Sequence, residues 1–296
     1  MIKTRIIKDR VAQTLMCALT IIAILFVVII ALGLYLKAVP ILEDKSIWSL
    51  LFSSAWRPMK GEFGFLPFLL GTIWVTVLAI LIALPISLLT AIYLTEYAKS
   101  VVRKLVFPAL DILASLPSVI YGVWGVLVIV PFISNRVAPH FVDFSTGYTV
   151  LAAGLVLGIM VIPLLISLFI EVFTSVPIEL RESSYALGAT RWQTTSRVVL
   201  PKTLPGIIAS TVLARSRAMG ETIAVLMVCG CVIGIPKSVL DACYPIPALI
   251  ANNYGEMLSM PLYESALMFA ALILFAVVLV FNLLSRMILY RLEKSD

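Results

Sequence analysis

Apolar runs of helix length alternate with short polar segments along almost the whole chain. A membrane-spanning helix needs about 20 predominantly apolar residues. Six stretches meet that length: residues 11–36, 63–95, 112–135, 144–170, 203–236 and 265–285, the longest taking in loop residues at their ends. The pattern predicts an all-α polytopic membrane protein with six transmembrane helices. The first run follows Lys3, Arg5, Lys8 and Arg10, as a signal peptide would. It is far longer than a cleavable apolar region and has no small-x-small site, so it reads as a retained anchor. Pro85, Pro117 and Pro163 fall inside three of the runs, where each removes a backbone donor and kinks its helix. Pro117 lies in Leu116-Pro-Ser118-Val-Ile-Tyr-Gly122, which reads either as a packing kink or as a bend that lines a pathway or acts as a hinge, with Ser118 its polar candidate.

Composition agrees with this pattern. Of 296 residues, 61% are hydrophobic and only 13% charged, against about 25% charged in soluble domains. The segments flanking the runs differ in charge. The two tails and the segments after the second and fourth runs hold 14 of the 22 Lys and Arg, and the alternate segments hold 6. The positive-inside bias therefore puts both termini in the cytoplasm. It also accounts for most of the net charge of +6, which does not argue for nucleic acid as a partner.

No segment between runs is long enough for a soluble domain. Residues 37–62 read as an irregular outer loop, with Trp48 and Trp56 as interfacial anchors, and set the first run apart from the other five. Four cysteines are too few and too scattered for a disulfide scaffold. Cys229, Cys231 and Cys243 fall near the outer face, where either free apolar thiols or one disulfide fits. His140 reads as a solvated loop residue, and no cluster has metal-ligand spacing.

The two Lys or Arg residues outside the flanking segments are Arg215 and Arg217. With Glu221 they are the only charges between residues 203 and 236. Counting about 1.5 Å per residue from Ile207 puts Arg217 roughly 15 Å deep, in the middle of a hydrocarbon core roughly 30 Å thick. An ionised group there costs at least ~2.5 kcal/mol and nearly always faces a protein interior or a wet path. On a continuous helix, Arg217 and Glu221 lie about 40° apart and share a face, and Arg215 points roughly 160° away from Arg217. The pair reads either as a buried salt bridge or as part of an anion pathway. Burying two ions often costs more than their attraction returns, which weighs against a purely structural pair.

The segment 171–202 has room for one or two short helices. Pro177 and Glu179 suit a helix start, and Gly188 suits a left-handed C-cap. Tyr185, Gly188, Ala189 and Trp192 follow helical spacing and define a small-and-aromatic face. Glu182-Ser183-Ser184, then Gly188 and Ala189, then Leu200-Pro201 resemble the EAA loop of ABC-importer permeases of the type I fold. That pattern reads Glu-Ala-Ala, a glycine after three residues, and later Ile-x-Leu-Pro. Ser183 and Ser184 depart from the alanines but remain small.

The resemblance implies a helical elbow that docks in a groove of a cytoplasmic ATPase. No GxxxxGK[ST] sequence is present, so the ATPase, with its ATP and Mg, belongs to another chain, and this one is a transport subunit rather than an enzyme. It divides the chain into tail, first helix and outer loop (1–62), a five-helix permease domain (63–290) with its coupling loop at 171–202, and a tail (291–296).

Within the family the chain resembles the phosphate-specific permeases, through Phe65-Leu-Pro-Phe-Leu-Leu-Gly-Thr72, Glu96-Tyr97, Leu116–Gly122, Ala186–Trp192 and Arg217-Ala-Met-Gly-Glu-Thr222. The first and third of these favour the PstC type over its PstA-type partner. Arg215 stands where the family is expected to be apolar. The resemblance implies a bacterial or archaeal cytoplasmic membrane, a second homologous permease, two copies of a PstB-type ATPase and an extracytoplasmic PstS-type binding protein. Arg217 would then offer a guanidinium fork to an oxyanion, while Glu221 holds it and moderates its affinity. Arg215 reads as a bridge to another subunit, as snorkelling toward a wet cavity, or as a further pathway residue. A PstA-type subunit, a molybdate or tungstate permease, and a stand-alone anion transporter or channel are the alternatives.

Overall fold

The computed structural model describes residues 2–142, 144–255 and 261–293. In chain order the elements are α1 (Ile2–Asp44), α2 (Ile47–Phe52), the paired strands β1 (Trp56–Arg57) and β2 (Glu62–Phe63), and α3 (Leu66–Tyr97). They continue with α4 (Ser100–Ser115), α5 (Ser118–His140), α6 (Val150–Thr174), α7 (Ile178–Ala186) and α8 (Arg191–Met219). The last are α9 (Ile223–Val228), α10 (Ile246–Asn253) and α11 (Pro261–Glu293). Six of these, α1, α3, α5, α6, α8 and α11, are long and apolar enough to cross a membrane.

The central pair is α3 against α6. In lipid there is little hydrophobic drive between helices, so small residues that allow close approach hold them together. Gly158 lets α6 approach the Ala79 carbonyl so closely that an added Cβ would lie 3.2 Å from it. Ala79, Ala83, Ala152 and Ala153 are buried in the same seam. Ser87 reaches across it, its hydroxyl donating to the Ile162 carbonyl at 3.3 Å beside Pro163. Pro85 and Pro163 lie within helices, as expected.

A second core closes one end of the bundle. Trp56 packs edge-on against Phe63, Phe65, Phe68 and Tyr263, with ring centroids 4.9–6.0 Å apart. The start of α10 is pinned to α3 through the Ile246 amide, which donates to the Thr72 hydroxyl at 2.9 Å. By contrast, α1 is exposed on nearly every side between residues 10 and 36. It is tied down near its end, where Lys37 pairs with Glu264 at 2.9 Å and the Ile41 amide donates to the Ser265 hydroxyl at 3.0 Å.

Three sequence expectations need correction. Residues 37–62 are not an irregular loop, because α1 continues to Asp44 and is followed by α2 and the hairpin. Trp56 is buried in the aromatic core rather than anchoring at an interface, whereas Trp48 does project outward, 71% exposed. The third span starts at Ser118 and not near residue 112, since Pro117 stands in extended backbone at its N-cap and ends α4 before it. The residue before a proline is driven out of the helical region, so Pro117 separates two helices instead of kinking one.

The fifth span differs most. Its helix begins at Arg191 and stops at Met219, and the chain then turns at Gly220-Glu221-Thr222 into the short α9. Residues 203–236 are thus a helix, a break and a second short helix, not one span.

Candidate functional site

Two features place the chemistry-bearing residues: an elbow at one end of the bundle and the break at Gly220.

The elbow is built as its sequence suggests. Helix α7 ends at Ala186, and Gly188 adopts a left-handed φ of +82° that a residue with a Cβ rarely takes. Its amide donates to the Tyr185 carbonyl at 2.9 Å, and the Ala189 amide to the Ser184 carbonyl at 3.2 Å. Thr190 then starts α8 with a reciprocal capping box to Gln193. Because Gly188 lies in the turn, Tyr185, Gly188, Ala189 and Trp192 do not form one helical stripe, which corrects that expectation.

Ser184 is more than a small residue. Its hydroxyl meets that of Thr194 at 2.9 Å in a buried contact, stapling α7 to α8. Glu182 and Ser183 point outward beside Tyr185 (41% exposed), Leu187 (89%) and Trp192 (57%). Leu200 and Pro201 lie in α8 just beyond a wide π-turn at Thr195–Val199. Pro201 lacks the amide that a regular ladder would need there, and the wider turn accommodates it.

At the break, the Gly220 and Glu221 amides close the end of α8 on the Arg217 and Ala218 carbonyls, both at 3.2 Å. The Glu221 carboxylate accepts from the Ala224 amide at 3.4 Å and so caps α9. It also lines a small internal cavity with Thr72, Thr76 and Pro245. Arg217, one turn before, is exposed. Among the described residues no ion pair joins Arg217 to Glu221. The expectation of a shared helical face fails because the helix ends between them.

Arg215 diverges from Arg217, as their spacing implies, but its surroundings were not legible. Its guanidinium carbon lies 4.1 Å from the Phe281 ring centroid on α11, a cation–π contact. Beside it, the Ser216 hydroxyl donates to the Asn282 side chain at 2.7 Å.

Ser118 is the half-buried first residue of α5. Its stretch abuts the break, since Gly122 packs so closely on α9 that an added Cβ would lie 3.2 Å from Ala224 Cα. The Tyr121 hydroxyl donates to the Leu113 carbonyl at 2.8 Å, locking α5 to α4. The Tyr-Gly dipeptide after Pro117 was the available signal for this close approach.

Cys229 and Cys231 are free thiols with sulfurs 3.7 Å apart, and Cys243 is free and buried nearby. No metal-ligand cluster occurs among the described residues.

Known proteins match this arrangement. The family described as "Binding-protein-dependent transport system inner membrane component" matches residues 83–295. A phosphate transport system permease protein PstC of Xylella fastidiosa is 38% identical over 262 residues, covering 84% of this chain and 80% of its own. A probable phosphate transport system permease protein PstC of Methanocaldococcus jannaschii is 35% identical over 286 residues, 90% of this chain and 89% of its own. Among solved structures, a chain of the inward-facing MetNI methionine ABC transporter superimposes with a TM-score of 0.59 at 18% identity, over 80% of this chain and 99% of that one. A chain of a bacterial alginate ABC importer gives 0.55 at 19% identity, over 82% and 92%. The structural matches speak to fold alone. With the elbow, the six apolar helices and the match across residues 83–295, this chain belongs to the inner-membrane permeases of binding-protein-dependent ABC importers.

Proposed function

We propose that this chain is the PstC-type permease subunit of an ATP-driven phosphate importer. The observation that carries the substrate is the similarity, over four-fifths or more of both chains, to permeases named for phosphate transport. The geometry supports it. Arg217 is exposed on α8 at a depth where a charge facing lipid is costly, so its partner is a wet path or a second permease. A guanidinium keeps its charge there and offers paired donors to phosphate oxygens. Glu221 acts differently from a direct restraint on Arg217. Its carboxylate instead ties the break to the first turn of α9 through the Ala224 amide.

The elbow end is cytoplasmic by the charge bias, and both termini share that side. Tyr185, Leu187 and Trp192 dock in a PstB-type ATPase that carries ATP and Mg, with a PstA-type partner completing the pathway and a PstS-type protein delivering phosphate. From Arg191 to Arg217 the chain stays helical through the π-turn at Thr195–Val199 and past Pro205, so elbow motion reaches the arginine along one continuous element.

The test is labelled-phosphate uptake in cells lacking other phosphate importers, normalised to membrane-inserted subunit. Arg217→Ala lowers uptake at least tenfold, Arg217→Lys recovers it in part, and Arg215→Ala, being stacked on Phe281, has the mildest effect. Normal uptake by Arg217→Ala would move the pathway elsewhere. ATPase stimulation of the purified complex by molybdate or tungstate but not phosphate would overturn the substrate.

A further inference from the structure

One ion pair is far more buried than the other two among the described residues, and it lies at neither the pathway nor the ATPase surface. Arg181, in α7, has a side chain 16% exposed, and its partner Glu96, at the end of α3, is 6% exposed. The guanidinium makes three bonds at once. One nitrogen donates to the Val176 carbonyl at 2.6 Å, and the other donates to the Phe173 carbonyl at 2.8 Å and the Glu96 carboxylate at 3.0 Å.

The chemistry of each partner explains the site. Phe173 lies in the last turn of α6, where carbonyls lack intrahelical donors and the helix end favours a cation; Val176 follows just beyond it. Glu96 sits in a π-turn at Tyr93–Tyr97 that ends α3, so its carboxylate is carried by a distorted turn and not a regular helix. A second cation, Arg103 of α4, donates to the neighbouring Thr95 carbonyl and fixes that turn from the other side. One planar five-donor group thereby joins the elbow helix to the ends of two spans. A lysine, with a single ammonium, cannot span the same three acceptors in that geometry.

The rest of the elbow is attached elsewhere. Helix α7 packs chiefly on the first turns of α8, through Ser184 and Thr194. Force on the elbow therefore has a direct route into α8 and, through the three-residue link 175–177, into α6, but needs a separate one into α3. We propose that Arg181, held by Glu96, is the positioning residue that makes the elbow move as one body with the ends of α3 and α6, so that ATPase closure is converted into transport. The proposal rests on the reading of this chain as an ATPase-coupled permease.

The test uses the assembled complex in proteoliposomes, measuring phosphate imported per ATP hydrolysed. Arg181→Gln and Glu96→Gln each lower that ratio about tenfold, while ATPase rate and subunit association stay within about twofold of the unmodified complex. Arg181→Lys restores part of it. The double variant Arg181→Gln/Glu96→Gln removes both buried charges and so relieves any unpaired-charge instability, yet remains uncoupled. An unchanged ratio overturns the proposal, and so does full recovery in the double variant, which would mark a merely structural pair.

A second readout does not depend on the substrate. Nitroxides at the exposed positions Glu179 and Leu89 report the separation of elbow and α3. It stays constant on trapping with ATP and vanadate in the unmodified complex and changes on trapping in Arg181→Gln. If the unmodified complex fails to import phosphate but the labels behave in this way, the substrate assignment fails and the clamp stands. If phosphate is imported and Arg181→Gln leaves the separation constant, the clamp alone fails.

Discussion

The two ends of the bundle are held by different chemistry. At one end, Trp56, Phe63, Phe65, Phe68 and Tyr263 form a buried aromatic core, and the amide–hydroxyl contact of Ile246 with Thr72 ties the start of α10 to α3 beside it. At the other, the elbow is held by a hydroxyl pair, a capping box and one ion pair, while its large apolar side chains point outward. Burial of aromatic area is non-directional and tolerates no partial opening. Single polar bonds fix orientation with little surface buried, so the part they hold can turn as a unit. The first end is built to stay closed and the second to be handled by a partner.

Breaking the aromatic end produces the largest effect. Trp56→Ala removes the hub of four ring contacts and costs about 3–5 kcal/mol, read as a lower thermal unfolding midpoint of the purified permease in detergent. If the elbow were the rigid end instead, the same loss would follow from Trp192→Ala, which is expected to leave the midpoint unchanged.

A smaller but more selective effect is expected at Gly188. A β-branched residue there meets left-handed strain of roughly 1–2 kcal/mol, yet nothing lies within 4 Å to clash with it. Gly188→Val therefore inserts and folds but loses association with the ATPase, measured by co-purification. Unchanged association would sink the docking role of the elbow.

Ser184→Ala sharpens the contrast further. It removes one hydroxyl contact and leaves the fully buried Thr194 hydroxyl without its partner, about 1 kcal/mol or somewhat more. The unfolding midpoint falls modestly, while the ATPase activity of the assembled complex becomes less responsive to phosphate. Ser184→Cys, which keeps a small polar group, falls between the two. The smallest effect belongs to Trp48→Ala, an exposed position whose loss stays within about 0.5 kcal/mol.

Much of this was legible before the structure. The six apolar runs marked the six spanning helices because burial in lipid demands length and apolarity, which sequence reports directly. Gly188 was legible because only one residue type takes its backbone conformation cheaply. The break after Met219 was not, since Gly220-Glu221-Thr222 sits in an apolar run whose only charges are Arg215, Arg217 and Glu221, and hydropathy does not register a helix that stops inside one. Glu221 therefore seemed a neighbour of Arg217, when it caps a different helix. The Arg181–Glu96 pair was invisible for another reason. Its members are 85 positions apart, and Arg181 contributed to the sequence reading only as one more charge in a flanking segment.

The π-turn at Thr195–Val199 sets the angular phase of everything beyond it on α8. It holds one residue more than a regular turn would, and each residue on a helix advances the side-chain direction by about 100°. Deleting a single residue from 195–199 would tighten the turn without breaking the helix. Tyr185 and Trp192 would stay where they are, while Arg217 would swing by roughly a quarter turn and Arg215 would leave the Phe281 ring. The docking surface and the arginine are thus indexed to each other through one wide turn, and the length of that segment is as much a determinant of the pathway as the charge at its far end.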